Sequence, residues 1–160
     1  MRRLRAPLAV GILSTFMLAG CNFWVVGHSK DYGVIVHGTG VANVGDGTIA
    51  FNLEVDGKEL KCQGKSFKKP GDTTGGRASV EIVCSDGRKA SGESVLTSME
   101  GGTGVGTDTC GDEVEMYFHM NQSLVMERLE QYRQARKSSP GGFDRCDAPG
   151  DAPPHRDPLI

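Results

Sequence analysis

Between Thr48 and Val55 apolar and polar residues alternate without a break: Ile49, Phe51, Leu53 and Val55 fall on one face, and Thr48, Ala50, Asn52 and Glu54 on the other. A period of two belongs to a strand with one buried face. The pattern returns from Glu113 to Met120, where Val114, Met116, Phe118 and Met120 form the expected inward set. Asp56-Gly57 follows the first of these strands, a dipeptide suited to the positive backbone angles of a tight hairpin, and Leu60 and Cys62 then resume the apolar phase. Beyond a loop from Lys69 to Gly76, Val80, Ile82 and Cys84 share one face of another strand. Ser85-Asp86-Gly87-Arg88 signals the next hairpin and leads into a weaker strand, Lys89 to Ser98, that carries Val95 and Leu96. Upstream, Val34-Ile35-Val36 opens a strand-like run reaching Val41. Phe23 to Val26 reads equally as a first strand or as an apolar patch beside a bilayer, with Trp24 at the headgroup level.

After Met120 the period changes. Leu124, Val125, Arg128, Leu129 and Tyr132 follow helical spacing from about Gln122 to Lys137, with Glu130 and Arg133 placed for a surface pair and basic residues in the last turn. This amphipathic helix is expected to pack over an open end or edge of the sheet. Ser138-Ser139-Pro140-Gly141-Gly142 stops it, and residues 139–160 hold five of the chain's seven prolines, a composition that predicts a disordered tail. The expected fold is therefore all-β: a small antiparallel barrel or sandwich of Gly-rich hairpins with one C-terminal helix.

Two Gly-rich segments echo each other. Gly38-Thr39-Gly40-Val41, Gly45-Asp46 and a strand ending near Phe51 are matched by Gly102-Thr103-Gly104-Val105, Gly111-Asp112 and a strand ending at Phe118. A pseudo-repeated hairpin is the structural expectation, its curvature supplied by glycine.

The N-terminus has a different logic. Arg2, Arg3 and Arg5 precede a largely apolar run from Ala6 to Ala19 that is too short to span a bilayer as a permanent helix. It closes on Leu18-Ala19-Gly20-Cys21, which resembles the lipobox of bacterial lipoproteins. That resemblance implies that residues 1–20 are a signal peptide removed on export. It also implies that Cys21 carries a diacylglyceryl group and an N-terminal acyl chain such as palmitate, and that the protein is anchored to the cell envelope. Asn22 in place of Asp leans toward the outer membrane, facing the periplasm. The chain then divides into residues 1–20, an anchor and juxtamembrane segment 21–31, a β domain 32–120, a helix 121–138 and a tail 139–160. A second likeness covers roughly residues 58–120: Cys62-Gln63-Gly64, Val83-Cys84-Ser85-Asp86-Gly87-Arg88 and the following Gly-Thr-Gly hairpin are similar to small Gly-rich exported proteins of proteobacteria, with Cys110 as the departure. This likeness supports the fold and carries no mechanism.

Loss of residues 1–20 removes three Arg and no acid, so 18 basic residues become 15 against 20 acidic ones and the remaining chain stands near minus five. An acidic domain argues against a nucleic-acid partner. The short basic clusters, Lys65 to Lys69 and Arg133 to Lys137, read as solvated faces. Four cysteines remain after Cys21, an even number, which in an oxidising compartment reads as disulfides. Pairing Cys62 with Cys84 and Cys110 with Cys146 joins near neighbours, and an antiparallel register with Cys62 opposite Cys84 also sets Lys65 near Glu81. A zinc site lacks a C-x-x-C knuckle and histidines at ligand spacing.

Reaction signatures are weak. The Gly38-Thr39-Gly40 stretch is followed by no helix, and Gly101 to Gly106 leads into no Gly-Lys-Ser/Thr, so neither dinucleotide nor P-loop chemistry is expected. His37 and His119 are the histidines within the β domain, with Asp46 or Asp112 as acids near them in sequence; Glu113 and Glu115 share a strand face. The reading is a non-enzymatic envelope lipoprotein without a cofactor that binds another envelope protein or a cell-wall component. The alternatives are an inhibitor of a cell-wall hydrolase resembling lysozyme inhibitors, by architecture alone, and a hydrolase built on His37 and His119.

Overall fold

The computed structural model describes residues 21–30, 32–43, 47–68 and 76–138. Among the described residues eight strands precede one helix: β1 (Cys21–Ser29), β2 (Ile35–Asn43), β3 (Thr48–Val55), β4 (Lys61–Lys68), β5 (Arg77–Cys84), β6 (Lys89–Ser98), β7 (Gly101–Asp108), β8 (Glu113–His119) and α1 (Gln122–Ser138). Each strand pairs antiparallel with the next, and β8 returns to pair with β1, so the sheet closes as an up-and-down barrel rather than a sandwich. Closure leaves no strand with unpaired backbone groups along an edge.

Strict alternation of direction gives the barrel two distinct ends. The start of β1 and the β2–β3, β4–β5 and β6–β7 connections lie at one, the Cys21 end. The β1–β2, β3–β4, β5–β6 and β7–β8 connections lie at the other, the disulfide end. Register at the centre of the sheet follows the sequence expectation, with Cys62 opposite Cys84 and Lys65 opposite Glu81. The turn after β3 has Gly57 at a φ of +80°, the geometry that Asp-Gly favours.

Alternation sends Phe23, Val25, Phe51, Leu53, Met116 and Phe118 inward, where they fill the barrel. The outer wall carries exposed Asn52, Glu54, Lys61, Gln63, Lys65 and Glu81. Apolar inside and charged outside is the opposite of a barrel whose wall faces lipid. The barrel can bend tightly because several inward positions have no side chain. At Gly92 a Cβ would stand 2.1 Å from the carbonyl oxygen of Val105, so the two backbones approach where only hydrogen fits.

A second core lies outside the barrel. Val125, Leu129 and Tyr132 of α1 pack on Val26 and Ile35, with Trp24, Tyr32 and Tyr117 around them. β1 is therefore buried on both faces, and its neighbours Val25 and Val26 are both 0% exposed. This settles residues 21–29 as a strand. Each fully buried aliphatic side chain of this kind contributes about 1.5–3 kcal/mol. Asn121 starts the helix, its side-chain oxygen accepting a 2.9 Å hydrogen bond from the Ser123 N–H.

Two expectations are corrected. The helix covers neither an open end nor an edge; it lies along the outer wall, chiefly on β1 and also on β8 and β2. Met120 lies past the end of β8 and is exposed. β6 forms as expected; on it Val95 and Leu96 are exposed and Ser94 is buried. The echoed segments form two antiparallel hairpins with a Gly-rich first strand, β2–β3 and β7–β8, which lie five strands apart and turn at opposite ends of the barrel. The tail, residues 139–160, lies outside the described residues.

Candidate functional site

The interior is not filled along its whole length. At the disulfide end a cavity of about 70 Å³ is lined by Val34, Val36, Leu60, Ile82, Ala90 and Val114, with Cys62 and Cys84 in its wall. Arg88, Lys89 and Asp108 stand where it meets solvent. The space exists because β6 turns small residues inward: Ala90 lines this cavity, and Gly92 lines a smaller void of about 20 Å³ that shares Ile82, Ala90 and Val114 with it. A wall of this kind suits an apolar occupant, since it offers few hydrogen bonds to trapped water.

The cysteines are placed as follows. Cys62 and Cys84 are bonded, with sulfurs 2.04 Å apart. Cys110, in the β7–β8 turn, is also disulfide-bonded; its expected partner Cys146 lies outside the described residues. Cys21 is a free, exposed thiol on the first residue of β1. It therefore lies at the opposite end of the barrel from the cavity.

Two polar clusters tie α1 to the disulfide end. Asp56 accepts hydrogen bonds from Arg133 Nη2 at 2.6 Å and Arg136 Nη2 at 2.5 Å, and its backbone carbonyl accepts another from Arg136. Burial alone would raise the Asp56 pKa, but the hydrogen bonds and charges of the two guanidinium groups outweigh it and hold the carboxyl below its usual range. His37 Nε2 stands 3.9 Å from the same carboxylate. The Arg133 to Lys137 cluster is thus not simply a solvated face. Spacing of three places Arg133 and Arg136 on one side of the helix, a signal present in the sequence, but nothing there names Asp56 as their partner. In the second cluster the buried His28 stacks on Tyr32 at 4.4 Å and meets Tyr132 edge-on at 4.2 Å, while its Nδ1 donates to the Ser29 carbonyl at 2.6 Å. Burial raises the pKa of Tyr132 against the opposing influence of Arg128, whose guanidinium lies 4.6 Å above the Tyr117 ring.

The structure does not bring His37 and His119 together. They lie on β2 and β8 with β1 between them, and His119 pairs with Glu100 in the β6–β7 turn. Asp112 is at the far end of β8 from His119, and Asp46 lies outside the described residues. Glu113 pairs with Lys30 at 3.1 Å and Glu115 with His28 at 3.5 Å. No group of three His, Cys, Asp or Glu among the described residues is placed to hold a metal ion. No helix among them is long and apolar enough to cross a membrane.

No protein-family model and no curated protein matches the chain. Solved structures do. A de novo designed fluorescence-activating β barrel superposes with a TM-score of 0.51 at 16% identity, over 63% of this chain and 92% of the other. A redesigned β barrel gives 0.51 at 18% identity, over 64% and 91%. EF1p2_mFAP2b bound to DFHBI gives 0.50 at 13% identity, over 62% and 91%. These likenesses establish the closed-barrel architecture.

Proposed function

We propose that this protein is an envelope lipoprotein, tethered through Cys21, whose barrel has a non-enzymatic binding role centred on the cavity at its opposite end. The observation that carries the reading is the placement of the two features. The lipobox cysteine is free and exposed on the first residue of β1, and the apolar cavity opens at the other mouth. A chain held to lipid at one end presents the other to the aqueous side, where a small apolar ligand or the apolar side chain of an envelope component can enter. The binding chemistry expected of such a cavity is burial of apolar surface, with Arg88, Lys89 and Asp108 meeting a polar head at the rim.

Mass spectrometry of protein purified from membranes tests both halves. A denaturing spectrum is expected to show acyl mass on a chain beginning at Cys21 and no free thiol. A native spectrum is expected to show an additional small molecule that is lost on organic extraction. An unacylated Cys21, or normal membrane attachment of the Cys21→Ser variant, would refute the tether. A barrel that emerges empty and takes up no apolar probe would refute the binding role.

A further inference from the structure

We infer that the Cys21 end of the barrel is itself a membrane-docking face, which lies against the lipid surface and holds the cavity mouth away from it. The inference deepens the tether reading and takes its direction from it. Ten large hydrophobic side chains are exposed among the described residues: Val41, Phe67, Val83, Val95, Leu96, Met99, Val105, Met120, Leu124 and Met126. Only Val83 and Val105 belong to the disulfide end or the middle of the wall. The other eight lie on the halves of β2, β4 and β6 nearest Cys21, in the β6–β7 turn, past the end of β8, or in the first two turns of α1.

Pairing shows that they follow the rim. Arg77 on β5 faces Val95 on β6, and Lys68 on β4 faces Ala78. The Leu96 N–H donates to the Gly76 carbonyl, and the Met120 N–H donates to the Glu100 carbonyl beside Met99. On the other side of the tether, Val41 faces Asn22, next to Cys21. Met99, at 94% exposure on the tip of a turn, is the most projecting of the set. Scattered apolar residues on a surface need no explanation, but their collection at one end does.

The occupant is a bilayer surface, on two grounds. The acylated residue sits within the same rim, so the apolar tips are carried to the lipid by the anchor itself. Lys68 and Arg77 are exposed at that end among the apolar tips, and their charge complements anionic headgroups, toward which such residues are drawn from a juxtamembrane position. Glu59, in the β3–β4 turn, is exposed at the opposite end.

The test uses the full gene product, purified from membranes and placed in vesicles containing phosphatidylglycerol. With Cys21 acylated and the other cysteines bonded, a cysteine introduced as Met99→Cys or as Glu59→Cys is the sole thiol and takes one environment-sensitive fluorophore. The label at 99 is expected to shift to the blue and to be quenched by lipids bearing a nitroxide in the acyl chain, while the label at 59 does neither. Equal, water-like emission from both positions in anchored protein would overturn the docking face and leave the tether standing. Shielding of position 99 in native membranes but not in pure lipid vesicles would overturn it in favour of a protein partner. Two labels per chain by mass would show instead that Cys21 is unacylated, refuting the tether; quenching at 99, read against the parent chain labelled at Cys21, would then decide the docking face separately.

Discussion

Asp56 ends the hydrogen-bonded run of β3 and at the same time receives two guanidinium groups from a helix some eighty residues further along the chain. Its carboxyl is held below its usual range, so the sign of the pH dependence follows. The stability it contributes is fully present at neutral pH and is lost as pH falls through the ordinary carboxylate value toward the depressed one. The denaturation midpoint is expected to hold steady from pH 7 to about 5 and to drop below about pH 4. Asp56→Asn should lack that part of the drop and should cost about 1–3 kcal/mol at pH 7, since both arginines lose a charged acceptor. Gly92 is the second decisive residue. Gly92→Ala puts a methyl into the Val105 carbonyl, and a loss of about 1–3 kcal/mol or failure to close the barrel is expected in urea titration with the far-ultraviolet signal.

At the scale of elements, the disulfide joins facing residues of neighbouring strands, and the loop it closes limits the unfolded chain. Cys62→Ser with Cys84→Ser should lower stability by roughly 3 kcal/mol without unfolding the barrel at room temperature, as calorimetry would show. Much of the element pattern was legible. Thr48–Val55 alternates because one of its faces meets the core and the other water, and the Cys62–Cys84 register follows from counting along two such strands. Where a strand departs from that simple division, the pattern fails. β1 shows no alternation because α1 covers its outer face, so Val25 and Val26 are buried on opposite sides. β7 lacks apolar alternation because its inward positions are glycines; a Cβ at Gly102 would stand 2.7 Å from the Phe118 ring, which already occupies that space. The same cause hid the cavity. Small inward residues look like weak strand signal in sequence and become room only when the opposite wall is known.

For the molecule as a whole, the polarity between its two ends is the feature with functional weight. If the cavity holds a ligand, Ala90→Leu should displace it, because the added branch points inward from β6 into the lined space. Native mass spectrometry should show loss of the bound species while thermal stability stays level or rises, as filling a void commonly does. The meander has a further consequence, in the seam where β1 meets β8. Every other pairing joins strands adjacent in the chain, whereas this one joins the first strand to the last. A polypeptide emerging amino terminus first must therefore carry its doubly buried strand half-sheltered until β8 has emerged as well. Shutting that seam is the long-range step that should limit the refolding rate, and the leading strand is the segment that a chaperone would have to guard meanwhile.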